Sequence, residues 1–353
     1  MASYKEQVER DLDRWIGEGL VPADNRAAML ASIPQASRLD AATALAWVGG
    51  VLAGVALIAF VAANWDLLPR LAKFAMVLGL FAASAGAAAW FSRAGRPNAA
   101  NGLLAFAAFA FAAAIGLTGQ IFDIAGDDRT AFYAAGFVAG ALALAGRGSA
   151  PAIAAVWFVG TGDFAAIQLF NVSSDFDVAG LFIAAPAAAA LAVYWRSVPL
   201  AHAAALGLIA AAVWLALKLH APPEGVVGFA AALAVLAAAG RWLRERGAPT
   251  GGVFYGWLAW GAVVFYICGG IDLSHGWTIP HRIGWLILGG ALVALGRRDR
   301  MGSVTAAGVL SLMIGISVVM YDLGLGLLTA SAVFFFAAIA AAVAGFAMRR
   351  RAA

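Results

Sequence analysis

The sequence predicts an all-α protein: a polytopic transmembrane helical bundle of about twelve spans, preceded by a short N-terminal amphipathic α-hairpin. Three observations carry this expectation. Hydrophobic residues fill 63% of the 353 positions and charged residues 12%, about half the charged share of a soluble globule, so the chain lacks the polar groups to cover a surface in water. The stretch Thr43–Ala63 holds 21 residues without a charge, long enough to cross a hydrocarbon core as a helix. Downstream the same plan recurs: an apolar run, a short polar turn, another apolar run.

The chain opens on a polar arm, residues 1–41. In it Val8, Leu12, Trp15 and Ile16 recur at the spacing of one helical face. Gly17 and Gly19 end that helix, and Pro22 with Asp24 starts a second short one bearing Leu30 and Ile33. Two helices this small have no core of their own, so the arm is expected to pack on the membrane domain or to lie on the lipid surface. Its role is either a cytoplasmic anchor or a docking arm for a protein partner. Charges run throughout residues 1–42 and no small-residue cleavage site follows a short apolar core, so no cleavable signal peptide is expected.

The transmembrane domain is expected over 42–348, with a basic cytoplasmic tail at 349–353. Its twelve apolar segments are 43–63, 74–91, 102–122, 131–146, 149–170, 178–195, 198–217, 225–240, 252–270, 283–296, 303–320 and 326–347. Assigning the arm and every even-numbered connection to one face gives that face eighteen of the 23 Lys and Arg. The other face receives Arg70, Lys73, Arg129, Lys218 and Arg282. Basic residues collect on the cytoplasmic side of a membrane protein, so both termini are expected there. The tightest connection is Arg147-Gly148, which has to join two helices with almost no loop.

Three groups of residues resemble a known family. They are Trp15-Ile16-Gly17-Glu18-Gly19-Leu20, then Ala62-Ala63-Asn64-Trp65-Asp66 with Pro69 and Lys73, then Gly119-Gln120-Ile121-Phe122-Asp123 with Gly126-Asp127. Over roughly residues 10–150 the chain is similar to the bacterial membrane-protein family known as domain of unknown function 2157. The resemblance implies a bacterial inner-membrane location. It brings with it no activity, cofactor or catalytic residue.

Asp163, in Gly160-Thr161-Gly162-Asp163, lies inside an apolar segment. Counted back from Phe170 at 1.5 Å per residue it sits roughly 10 Å within the span. A carboxylate near mid-bilayer costs about 2.5–3.5 kcal/mol, so it must face the bundle interior or a water-filled cavity. It is either a proton or cation site or a hydrogen-bonded packing residue. The outward helix ends are acidic, and with Asp163 they define a candidate polar path: Asp66, Asp123, Asp127, Arg129, Asp272 and Arg282. Clefts of one charge sign concentrate counter-ions; acidic residues are also simply tolerated on the face that Lys and Arg avoid.

No metal is expected. Asp272, His275 and His281 share one predicted outer loop, but their spacing fits no helical zinc pattern and no fourth ligand is evident. The lone Cys268 excludes a disulfide framework and a thiol metal site. No nucleotide fingerprint, serine elbow or haem-attachment motif is present, so neither a cofactor nor an enzymatic role is expected. The basic loops lack the aromatic interleaving of a nucleic-acid surface. The loops Phe122-Asp123-Ile124 to Arg129 and Ile271-Asp272-Leu273 to Arg282 run in parallel, which suggests either a 6+6 repeat or a pattern common to outer helix ends.

Two functions are compatible with this reading. One is a permease for a small solute or ion, using Asp163 and the acidic outer ends. The other is a non-transporting scaffold, assembly or sensing subunit with the arm as its protein contact. In both the lipid bilayer is the first partner.

Overall fold

The computed structural model describes residues 4–32, 68–122, 126–165, 180–270 and 275–324, with 331, 332 and 335. Among these residues all regular structure is helical. The chain divides into two units, Met1–Pro69 and Arg70–Ala353.

In the first unit α1 (Tyr4–Gly17) and α2 (Arg26–Ser32) are joined through Gly19, at φ 73°, and a short 3-10 turn at Ala23–Asn25. The amphipathic face is real: Leu12 is fully buried, and Val8, Trp15 and Ile16 are half-buried. On the polar side Arg26, the first residue of α2, donates from Nε to Asp13 at 2.8 Å and from Nη2 to Glu9 at 3.0 Å. Exposed ion pairs of this kind set geometry more than they stabilise.

The second unit holds α3 (Arg70–Arg93), α4 (Pro97–Phe122), α5 (Asp128–Gly146), α6 (Ser149–Ala165) and α7 (Leu181–Tyr194). Then come α8 (Val198–Lys218), α9 (Pro223–Glu245), α10 (Gly251–Cys268), α11 (His275–Arg298) and α12 (Gly302–Asp322). They coincide in order with ten of the predicted apolar segments. The first, 43–63, lies outside the described residues, and the last, 326–347, almost wholly so. Eight of the ten are long and apolar enough to cross a membrane. The other two, α6 with 17 residues and α7 with 14, border the undescribed stretch 166–179. Large apolar side chains stand outward along the helices: Phe137 is 78% exposed, Val235 70% and Ile287 66%. In water such a surface would aggregate; in a bilayer it is the lipid face.

The helices associate as consecutive hairpins, α3–α4, α5–α6, α7–α8, α9–α10 and α11–α12. Every one of these five turns stops its first helix in the same way. A residue enters the left-handed region: Gly95 (φ 72°), Arg147 (48°), Arg196 (54°), Gly247 (78°) and Arg300 (52°). The next N–H then returns to a carbonyl five residues back. Arg96 reaches Phe91 at 2.9 Å, Gly148 reaches Ala143 at 3.0 Å and Ser197 reaches Ala192 at 2.9 Å. Ala248 reaches Leu243 at 3.0 Å and Met301 reaches Gly296 at 2.8 Å. This is the Schellman closure, which satisfies the carbonyls that a helix end leaves orphaned. It lets Arg147-Gly148 join two helices without a loop. Asn101 of α4 completes that corner, its Oδ1 accepting the N–H of Ala150 in the first turn of α6 at 2.9 Å.

Between helices the buried side chains are small. Ala185, Ala192, Ala201, Ala204 and Ala205 are wholly covered, so backbones come close and dispersion replaces the hydrophobic drive that lipid removes. Among the described glycines the closest approach to backbone is at Gly251, where an added Cβ would lie 2.3 Å from the backbone nitrogen of Arg244.

One boundary departs from expectation. The sequence puts His275 and His281 in a loop before a span at 283–296, but α11 already runs from His275 and carries both, with Pro280 inside it. The polar pair His281-Arg282 broke the hydropathy signal. The helix tolerates them because both are partnered by neighbouring helices, as described next.

Candidate functional site

Asp163 lies in the last described turn of α6 and is wholly buried. Its carboxylate faces three donors. The hydroxyl of Tyr133 (α5) donates to Oδ1 in a short hydrogen bond. The N–H of Gly180 reaches Oδ1 at 2.8 Å and the N–H of Leu181 reaches Oδ2 at 2.8 Å. Those two amides open α7, so Asp163 serves that helix as an N-cap supplied by its predecessor. The negative group also meets the positive end of the α7 dipole. Behind it the indole Nε1 of Trp214 (α8) donates to the Asp163 carbonyl at 3.2 Å.

The direction of the chain of bonds follows from chemistry. Arg129 can only donate, and its Nε lies 3.0 Å from the Tyr133 oxygen. That oxygen therefore accepts from Arg129, and its own proton goes to Asp163. Two of the sequence candidates, Arg129 and Asp163, are thus brought together through a residue that sequence reasoning passed over. The available signal was the Arg129–Tyr133 spacing of four, one turn on a helix. The backbone fits closely around this site: a Cβ on Gly180 would lie 2.6 Å from Val159 Cγ1.

The remaining candidates separate. Asp127 caps α5, accepting from the Thr130 hydroxyl at 2.6 Å, its N–H at 3.0 Å and the Arg129 N–H at 3.3 Å. The Thr130 bonds hold its carboxyl below the usual carboxylate range. Arg282 belongs to a second cluster. Its Nε donates to Asp322 at 2.9 Å, and one terminal nitrogen lies 3.3 Å from the Gly270 carbonyl and 3.4 Å from His281 Nδ1. His281 is buried and stacks on Tyr266 with ring centroids 4.4 Å apart, its Nε2 2.9 Å from the Tyr266 carbonyl. Both ring nitrogens are engaged. Asp66, Asp123 and Asp272 lie outside the described residues, and no group of three metal-ligating side chains occurs among those described.

Beside Asp163 the surface carries a groove of about 610 Å³ between α6, α7 and α8, walled by Val156, Trp157, Phe164, Leu181, Leu206 and other apolar groups. Among the described residues no charged side chain lines it, and Asp163 does not.

A further polar contact, unforeseen from sequence, ties two hairpin turns together. Arg241 of α9 grips Asp299, after α11, through Nε at 2.6 Å and Nη2 at 3.1 Å. Arg244 adds a bond to the Asp299 carbonyl at 2.7 Å. The Arg241 guanidinium holds the Asp299 carboxyl below its ordinary range.

Stacked hairpins, an apolar exterior and buried polar groups such as Asp163 and His281 that are satisfied from within define a multi-pass helical membrane protein. Residues 13–152 match the family Predicted membrane protein (DUF2157), in agreement with the resemblance over roughly residues 10–150. The match begins in α1 and ends in α6, so it includes Arg129 and Tyr133 and stops short of Asp163. No curated protein and no solved structure matches the chain.

Proposed function

We propose that this protein is a non-transporting membrane scaffold, an assembly or sensing subunit of a bacterial inner membrane, without enzymatic activity. One observation carries the reading: the interior carboxylate, Asp163, is spent on structure. Both its oxygens accept from Tyr133 and the first amides of α7, and the adjacent groove is apolar and does not include it. A permease would present that carboxylate to water or solute at some stage of its cycle. In the scaffold the arm, residues 1–41, carries the protein contact. The bundle has twelve spans with both termini cytoplasmic, which puts the five Schellman turns on the cytoplasmic side.

Dicyclohexylcarbodiimide, which modifies carboxyl groups reachable within a membrane, tests the reading by mass spectrometry. The scaffold predicts no adduct at Asp163 in the folded protein and an adduct after denaturation. Modification of Asp163 in the native bilayer would overturn it and restore the permease. Orientation is checked separately in a Cys268→Ser background. An impermeant thiol reagent applied outside should label Gly126→Cys and spare Ala248→Cys; the opposite pattern would reverse the topology.

A further inference from the structure

A second groove, of about 330 Å³, opens between the start of α9, the end of α10 and the start of α11. Glu224, Val227, Tyr266, Trp277, Pro280 and His281 line it. We infer that this groove binds an organic ammonium group, as a free amine or as the headgroup of a membrane lipid.

The charge balance selects a cation. Among the described residues Glu224 is the only charged one lining it; it is exposed and has no ion-pair partner among them. The nearest cation in sequence to the far wall, Arg282, is committed to Asp322 and the Gly270 carbonyl. The walls then select the kind of cation. A metal ion needs several oxygen ligands, and the described residues of this groove offer one carboxylate. His281 does not supply another ligand, because both its nitrogens are occupied. Trp277 instead presents exposed aromatic surface, with the Tyr266–His281 stack walling the groove behind it and Pro280 and Val227 adding apolar contact. Aromatic rings beside a carboxylate are the chemistry that holds alkylated ammonium ions, which carry charge and an apolar skin together. Trp277 is 61% exposed at the start of a membrane-crossing helix, the depth at which tryptophans meet headgroups. The Tyr266 hydroxyl donates to the His281 carbonyl at 3.2 Å, so the inner wall is braced before any ligand arrives.

The inference is independent of the scaffold reading, since nothing in it involves Asp163. Equilibrium dialysis of radiolabelled choline against the full chain in phosphatidylglycerol nanodiscs tests it. Saturable binding is expected, unaffected by an equal concentration of potassium. Glu224→Gln and Trp277→Leu should each weaken it about two- to fivefold, the range of one exposed ion pair or one exposed cation–π contact, and together about tenfold. Both side chains are exposed, so an unchanged melting temperature verifies the fold of each variant. Non-saturable binding, equal competition by potassium, or a double variant within twofold of the parent would overturn the assignment. Repeating the dialysis in phosphatidylethanolamine nanodiscs identifies the source. A headgroup ligand lowers apparent choline affinity there in the parent alone; a soluble amine leaves it unchanged.

Discussion

Asp163, in the last described turn of α6, accepts the N–H of Leu181, the first residue of α7, at 2.8 Å. The end of one helix thereby fixes the start of the next across fourteen undescribed residues, 166–179. All three of its side-chain partners are donors, and this governs what replaces it. Asp163→Asn turns an NH2 group toward one of them, so even this isosteric change should destabilise by about 1–3 kcal/mol, the cost of a stranded buried donor. Asp163→Leu strands all three and should cost more. Thermal unfolding in detergent or nanodiscs measures the order; Asn at parental stability would mean the bonds are not carrying α7.

Tyr133→Phe should cost about 1–2 kcal/mol, because Arg129 and Asp163 each lose one partner and keep others. Combined with Asp163→Leu its effect should be clearly less than additive, since both changes break the Tyr133–Asp163 bond. Strict additivity in the double-mutant cycle would mean that the Tyr133–Asp163 contact contributes nothing.

Arg147 and Arg300 occupy left-handed positions that in other hairpins of this bundle are held by glycine. A side chain there costs roughly 1 kcal/mol. Arg147→Gly and Arg300→Gly should therefore leave stability unchanged or raise it by up to about 1 kcal/mol, whereas Arg147→Val should lower it. A drop in melting temperature in both glycine variants would show that the arginine side chains contribute more than the backbone strain they impose.

Gly251→Ala should be among the most damaging single-methyl additions, costing about 1–3 kcal/mol or more. The new Cβ would meet backbone atoms of Arg244 at 2.3 and 2.7 Å, and backbone cannot rotate away. Gly228→Ala, where nothing lies within 4 Å, serves as the control and should be neutral or mildly stabilising.

The Arg241–Asp299 bond adds an acid-sensitive term to stability. Because the folded carboxyl is held below its ordinary value of 3.8, the term is present in full above that pH. It is lost as pH falls through the lower, folded value. Melting temperature followed from pH 5 down to 2.5 should fall less steeply in Asp299→Asn than in the parent. Identical slopes would remove Asp299 from the acid response.

Hydropathy and charge spacing alone determined the helical class, the order of the segments and the hairpin corners, because a helix in lipid must satisfy its backbone internally and carry an apolar surface. The same signals made Asp163 conspicuous, since an ionisable group in an apolar run is costly, and marked Arg129 as one of five basic residues on the acidic outer face. What neither could show is partnership. Tyr133 in an apolar run reads as packing until the fold places its hydroxyl between Arg129 and Asp163. His281 and Arg282 read as a loop because composition counts their polarity, while α11 keeps them by stacking one on Tyr266 and pairing the other with Asp322. Arg147, Arg196 and Arg300 carry no left-handed signature of the kind glycine does, so their turns became visible only with the backbone. The Tyr133–Asp163 and Arg282–Asp322 partnerships depend on contacts between residues distant in sequence, and those exist only once the helices have packed.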